Sequence, residues 1–308
     1  MRKRINRRVI KENLQLGMMT IPVVVLLAIF SYWPMFGIIL AFKNYKVTRG
    51  IFGSEWMTPL FKHFEFFLKS RDAFRVTRNT LLLNLLFIFA GTFCSVVFAL
   101  LLYEVKKTMH VKIYQTFAIL PNFLSWVAVS YIVYALLDTE KGILNQIVRF
   151  FGGESISWYT SPGYWPVILL LVKVWHGVGI SCIVYYASLM GIDEELFEAA
   201  EMDGATKLQR IVYISIPHLV SIVTMMIILD IGKIFRSDFG LFYNVTRNVG
   251  QLYSTTDVID TYIFRALMEQ GNFGMSSAAS VIQSVVCTVT LLVTNAIVKK
   301  IEPDNALF

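Results

Sequence analysis

The stretch ELFEAAEMDGATKLQRIVYISIPHL, Glu195 to Leu219, decides how this chain is read. It carries four acids, two bases and a glycine, yet one long apolar run precedes it and another follows directly. Asp193, just upstream, is a good N-cap for EELFEAAEM, and acids in the first turn suit the positive end of the helix dipole. Glu194, Glu198 and Glu201 recur at i, i+4 and i+7 and form one acidic stripe, which a positively charged partner would stabilise. Gly204, after Asp203, suits a tight turn that needs positive φ. Thr206-Lys-Leu-Gln209 then has the form of a capping box that starts a second helix, with Leu208, Ile211, Val212 and Ser215 on one apolar face. Pro217 interrupts the regular hydrogen bonding before the next apolar run. Ala199, Ala200 and Ala205 keep the surface shallow. The residues describe a compact acidic helical knob, equally a structural loop or a docking element.

The surroundings make it a knob on a membrane protein. Apolar residues are 56% of the 308 and charged residues only 16%, against about 25% in an ordinary soluble chain. Six runs approach or exceed the roughly 20 residues needed to cross a bilayer: Leu16–Phe42, Thr80–Tyr103, Ile113–Leu137, Tyr164–Met190, His218–Gly232 and Ser277–Val298. The fifth is short unless the preceding helix runs into it. Only helices or closed barrels satisfy their backbone in lipid, and barrel alternation is absent, so the expected fold is all-α and polytopic with six transmembrane helices. MRKRINRRVIK reads as the basic flank of an uncleaved first span. The net charge of +7 is spread over loops and flanks, which favours membrane-flanking bases over nucleic acid. Bases divide almost evenly between the two sets of loops. Six of them within the first eleven residues favour an N-terminus inside the cell. The outer segment LFKHFEFFLKSRDAFRVTRN has phenylalanines at 61, 64, 67 and 74 and reads as a surface helix clamping the outer rim, or as a basic vestibule.

The sequence lacks the usual catalytic patterns. There is no G-x-x-x-x-G-K-[ST], no H-E-x-x-H and no G-x-S-x-G, so the chain is not expected to be an enzyme. Cys94, Cys182 and Cys287 fall in three different spans with no metal-ligand spacing, and no metal site is expected. Ionisable groups inside spans are expensive and mark pathways. The depths of Lys173 and Asp230 along their spans are similar, so an ion pair between them is expected. Asn122, Ser125 and Trp126 after Pro121, and Trp175 and His176 beside Lys173, are further candidates for a solute path. They offer hydrogen bonds and aromatic faces suited to sugars. Asn244 and Tyr262, in the outer segment 233–276, are candidates for the entrance or for a delivering protein.

Glu198-Ala-Ala, then Gly204, then Ile214-x-Ile216-Pro217 resembles the EAA signature of permease subunits of bacterial ABC importers, with Ile216 where the family has leucine. YWPMFGIILAFKNY, RNTLLLNLL, LPNFLSWVAV and TDVIDTYIFRA are similar to LplB-type permeases of the carbohydrate uptake group, so the resemblance covers essentially the whole chain. It implies a type I importer (MetI-like) permease fold. Residues 1–79 would form a basic cytoplasmic N-terminus, first span and outer segment, residues 80–301 a five-helix core, and residues 302–308 a cytoplasmic tail. Within the core, 191–217 would be the cytoplasmic coupling loop. Glu198, Ala199, Ala200, Asp203, Gly204 and Pro217 would couple to a separate ABC ATPase dimer, which holds ATP and magnesium; this chain would hold no cofactor. The other implied partners are a second, homologous permease, an extracytoplasmic solute-binding protein and a carbohydrate, expected to be an oligosaccharide. Location in the bacterial plasma membrane with both termini cytoplasmic follows. The rival expectation is a secondary transporter driven by an ion gradient through Lys173 and Asp230.

Overall fold

The computed structural model describes residues 7–105, 107–301 and 306. Apart from one antiparallel pair of two-residue strands, Lys43–Asn44 with Glu55–Trp56, the regular structure described is helical. The helices used below are α1 (Arg7–Leu27), α2 (Lys62–Lys69), α3 (Arg71–Tyr103), α4 (Thr108–Ile119), α5 (Trp126–Leu137), α6 (Ile143–Phe150), α7 (Trp165–Leu189), α8 (Glu194–Met202), α9 (Lys207–Arg210), α10 (Ile216–Gly232), α11 (Ile259–Met268) and α12 (Phe273–Ile301).

Five helical stretches are long and apolar enough to cross a membrane unbroken: Gln15–Phe42, Arg71–Tyr103, Pro162–Leu189, Lys207–Gly232 and Phe273–Lys300. The third expected span, Ile113–Leu137, is instead a bent pair, Thr108–Phe123 and Trp126–Leu137, meeting at 97°. The bend has a local cause. Pro121 limits helical hydrogen bonding, and Ser125 leaves the helical region and caps α5 by accepting from the Ala128 N–H at 3.2 Å. The fifth span gains its length because α9 runs through a π-turn at Ile211–Ser215 into α10, with Pro217 lying just past that turn inside the continuous helical stretch. That π-turn also changes the phase of the apolar face. Ser215 is buried, but Leu208 and Val212 face outward.

α3 and α7 pack against each other along much of their lengths, and α10 lies against both. One core cluster gathers Leu83, Phe87, Val129, Trp165, Leu169 and Phe242. Another, towards the knob, gathers Ala99, Leu102, Cys182, Tyr185, Leu189 and Leu219. The backbones of α4 and α7 come together at Gly179, where a Cβ would collide with the Ala118 carbonyl. The first span is different. Residues 15–36 are exposed to the surroundings, and only its end, Trp33–Phe42, packs against α12.

The segments before α3 and between α10 and α12 are more ordered than the sequence suggests. α2 buries Phe67 in a third cluster with Val76, Ile259, Tyr262 and Met275, while Phe61 and Phe74 remain exposed. Asp257, whose side chain is fully buried, takes bonds from Arg265 Nη2 (2.6 Å), Arg75 Nη2 (3.1 Å) and Thr261 Oγ1 (3.0 Å). Asn79 Nδ2 donates to the Asp257 carbonyl at 3.1 Å. This network ties α11 to the start of α3. It accounts for charges that read as solvent-facing in sequence.

Candidate functional site

Two features stand out: a largely apolar cleft among the spans into which a set of polar and charged groups project, and the exposed knob at the end of one span. The cleft has a volume of about 570 Å³, within the usual range for small-molecule sites. α3 lines it with Asn84, Gly91, Thr92 and Ser95, and α7 with Lys173, Gly177 and Ser181. Asp230 near the end of α10 and Asn122 at the bend complete the wall with Lys233, Arg236 and Asp238 of the linker after α10.

Of the sequence candidates, Asn122, Lys173 and Asp230 therefore line one cleft. The expected pairing is corrected. Lys173 Nζ donates to Asp238 Oδ2 at 2.9 Å rather than to Asp230. The chain leaves the helix at Gly232 and the linker carries Asp238 back across α7, which a depth count along the spans does not register. Trp126 and His176 are brought together beside Lys173. The two rings stack at 4.1 Å, and the ammonium lies 5.7 Å from the Trp126 ring centroid. His176 also approaches the Leu124 carbonyl, and Asn122 Nδ2 donates to the His176 carbonyl, so this group fastens the bend to α7. Ser125 serves as the cap of α5.

Three candidates lie elsewhere. Trp175 is 43% exposed and does not line the cleft. Tyr262 is buried against Phe67 and Met275, so it faces no entrance; the expected polar outer segment folds inward because Asp257 and Arg265 neutralise each other. Asn244 bonds its own turn through the Gly240 carbonyl at 3.0 Å. Asn84, Lys233, Arg236 and Asp238 were missed. Asn84, a polar residue inside an apolar run, carried a readable signal. The three linker residues looked like ordinary flanking charges.

The knob is built as its residues require. Asp193 accepts from the Glu195 N–H, and Thr206 and Gln209 close the capping box reciprocally. Gly204 takes φ +79°, with the Gly204 N–H bonded to the Glu201 carbonyl and the Ala205 N–H to the Ala200 carbonyl. That is the Schellman closure of a helix. Glu198, Ala199, Asp203 and Gly204 are exposed, and Ala200 is half-buried. Apolar Leu196, Met202 and Leu208 are exposed beside them, at 55%, 88% and 70%. Part of the acidic stripe finds its partner within the chain, since Arg210 bonds Glu201 at 3.1 Å. Phe197 turns inward onto Tyr103 and anchors the knob to α3.

A helical bundle with five or six candidate spans, a cleft among them that carries polar groups and an exposed helical knob has the architecture of a membrane permease. Residues 73–303 match the family described as the binding-protein-dependent transport system inner membrane component, and the chain belongs to that family. It is 32% identical to the polygalacturonan/rhamnogalacturonan transport system permease protein YteP of Bacillus subtilis, covering 97% of this chain and 92% of that one. It is also 32% identical to protein LplB of Bacillus subtilis, over 96% and 92% of the two chains. Among solved structures, a bacterial ABC transporter involved in the import of the acidic polysaccharide alginate superposes with a TM-score of 0.86 at 29% identity, covering 96% of this chain and 98% of that one. The alginate transporter in complex with alginate pentasaccharide-bound periplasmic protein gives a TM-score of 0.85 at 30% identity, covering 96% and 97%. The chain is thus an inner-membrane permease component of a transport system and has no ATPase activity of its own.

Proposed function

We propose that this chain is one transmembrane half of an ABC importer that carries an oligosaccharide into the cell. One observation supports it most: a single helix, Lys207–Gly232, starts directly after the exposed Glu198–Gly204 turn and reaches Asp230 in the cleft wall. A nucleotide-driven push on the knob thereby reaches the solute path. In this reading Glu198, Ala199, Ala200, Asp203 and Gly204 dock on a cytoplasmic ABC ATPase dimer that holds ATP and magnesium, and Pro217 begins the shaft behind them. Residues 80–301 form the core; the expected cytoplasmic tail 302–308 lies, apart from residue 306, outside the described residues, as do residues 1–6 of the expected cytoplasmic N-terminus. An extracytoplasmic binding protein delivers the sugar. A second, homologous permease completes a heterodimer, with the exposed first span at its edge. Relatives named for polysaccharide transport, and a homologous structure bound to a pentasaccharide-loaded periplasmic protein, support the choice of solute. Membership in a family of binding-protein-dependent systems speaks against the gradient-driven rival.

The test is a mild-detergent purification of the tagged chain from its native membrane, wild type beside Glu198→Lys and Gly204→Val, with mass spectrometry of what accompanies each. Wild type is expected with a P-loop ATPase and a second permease, and the variants without the ATPase. A wild type that comes out alone while still supporting uptake refutes the reading.

A further inference from the structure

The linker between α10 and α11 carries more fixing bonds than a connecting loop needs. Asn84 Nδ2 of α3 donates to the Ile234 carbonyl at 2.7 Å and to the Arg236 carbonyl at 3.3 Å. Asp260 Oδ2 of α11 accepts from the Ser237 N–H at 2.7 Å, and Gln283 Nε2 of α12 donates to the Phe235 carbonyl at 2.7 Å and to Asp260 at 3.0 Å. Side chains from three separate helices thus hold the backbone of 234–237 in place. Backbone fixed in this way pre-organises whatever it presents.

What it presents is positive charge. Lys233 and Arg236 line the cleft and are exposed within it, and neither has an ion-pair partner among the described residues. The third base, Lys173, is already taken by Asp238. Asp230 is the one other acid on the wall, so the cleft holds three bases against two acids. Asp260 behind the wall attracts Arg236, and Asp230 attracts Lys233, without a direct ion pair, so both bases keep their donors free for an entering counter-charge. An arginine's planar fork matches a carboxylate bidentately, and a lysine beside it adds a mobile point charge.

We propose that Lys233 and Arg236 form a carboxylate-binding pair, held by Asn84, Asp260 and Gln283, and that the transported oligosaccharide is an acidic one built of uronate units. The proposal rests on the reading of the chain as an oligosaccharide importer. Sugar hydroxyls meet Asn122, Thr92 and Ser181 in the same cleft, while the carboxylates meet the linker. Binding at the pair displaces no existing ion pair, so Lys173–Asp238 stays closed.

The test uses the complete importer, with its ATPases and binding protein, in liposomes. Uptake is measured for a pool of galacturonate and alginate tetramers and, separately, for neutral maltotetraose. Wild type is expected to take up the acidic tetramers. Lys233→Gln with Arg236→Gln should raise their KM about tenfold or more, the loss of charged hydrogen bonds. The charge-keeping Lys233→Arg should stay within about threefold of wild type, while Arg236→Lys, which keeps the charge but loses the bidentate fork, should fall between wild type and the double glutamine variant. A double glutamine variant with unaltered KM overturns the proposal, as does a wild type that carries maltotetraose and excludes the acidic tetramers; both leave the importer reading intact. A wild type that carries neither class, with ATP hydrolysis indifferent to sugar, removes the oligosaccharide reading and the carboxylate pair together.

Discussion

Replacing Asp257 by alanine leaves the Arg265 guanidinium, 9% exposed and 4.1 Å from the centre of the Tyr253 ring, without the carboxylate it bonds at 2.6 Å. Removing one partner of a buried pair costs about 3–5 kcal/mol, because the remaining charge stays desolvated and unpaired. Arg75 behaves differently. It is 34% exposed and also bonds Asp72 at 2.9 Å, and Asp257 keeps Arg265 when Arg75 is lost. Arg75→Ala should therefore cost no more than about 1 kcal/mol of ion-pair energy. Replacing both buried partners by apolar residues, Asp257→Leu with Arg265→Met, removes the orphaned charge and should cost less than Asp257→Ala alone. The assay is thermal unfolding of the purified chain in detergent, followed by tryptophan fluorescence. Asp257→Ala should lower the apparent Tm by on the order of 10 °C, with Arg75→Ala well above it and the double variant in between. An Asp257→Ala protein melting within a degree or two of wild type, or a double variant as unstable as the sum of its singles, would refute the account of this network.

Two further outcomes follow from the packing and the charges. Gly179→Ala places a methyl group against the Ala118 backbone, which has no side chain to move aside, so it should cost about 1–3 kcal/mol and appear as a lowered Tm. Gly177→Ala, with nothing near its added Cβ, is the control that should not. Burial raises the Asp260 carboxyl above its ordinary 3.8, opposed by the Ser237 N–H, Gln283 and Arg236. Its native form holds its proton to higher pH than the unfolded chain does. It therefore contributes a fall in stability as pH rises from about 3.8 to the raised value, and no slope above that. Asp260→Asn keeps an acceptor oxygen and should flatten that slope; equal slopes in urea unfolding of wild type and variant from pH 4 to 7 would refute the assignment.

Legibility in the sequence followed the range of the interactions. The knob was readable because Asp193, Gly204 and the Thr206–Gln209 box act within a few residues of themselves, and local capping chemistry has few alternatives. The spans were readable because length and apolarity leave few options in lipid, and α10 reached full length by the continuation that its short apolar run required. The bend at Pro121–Ser125 was hidden because an apolar count runs unbroken across it, although proline and serine both signalled it. Lys173 was matched to the wrong acid because helix arithmetic ends where the helix ends, and Asp238 returns on a linker. Tyr262 looked external because a charged segment can be buried when its charges pair, as Asp257 and Arg265 show. The cleft needed Asn84 and Arg236, 152 residues apart, to meet.

The π-turn at Ile211–Ser215 has a mechanical consequence. An unbroken α-helix resists bending because each turn is braced by the next, so torque applied at one end arrives at the other with little loss. A wider turn with one extra residue loosens that bracing at a single place. Pro217, just beyond it, removes one further bond from the ladder. The shaft from Lys207 to Gly232 is therefore stiff on its far side and compliant near the knob, like a rod with its pivot close to the handle. Rotation at the knob can be taken up there as tilt, and the stiff remainder converts a small tilt into a larger sideways displacement at Asp230 and the pinned linker beyond it.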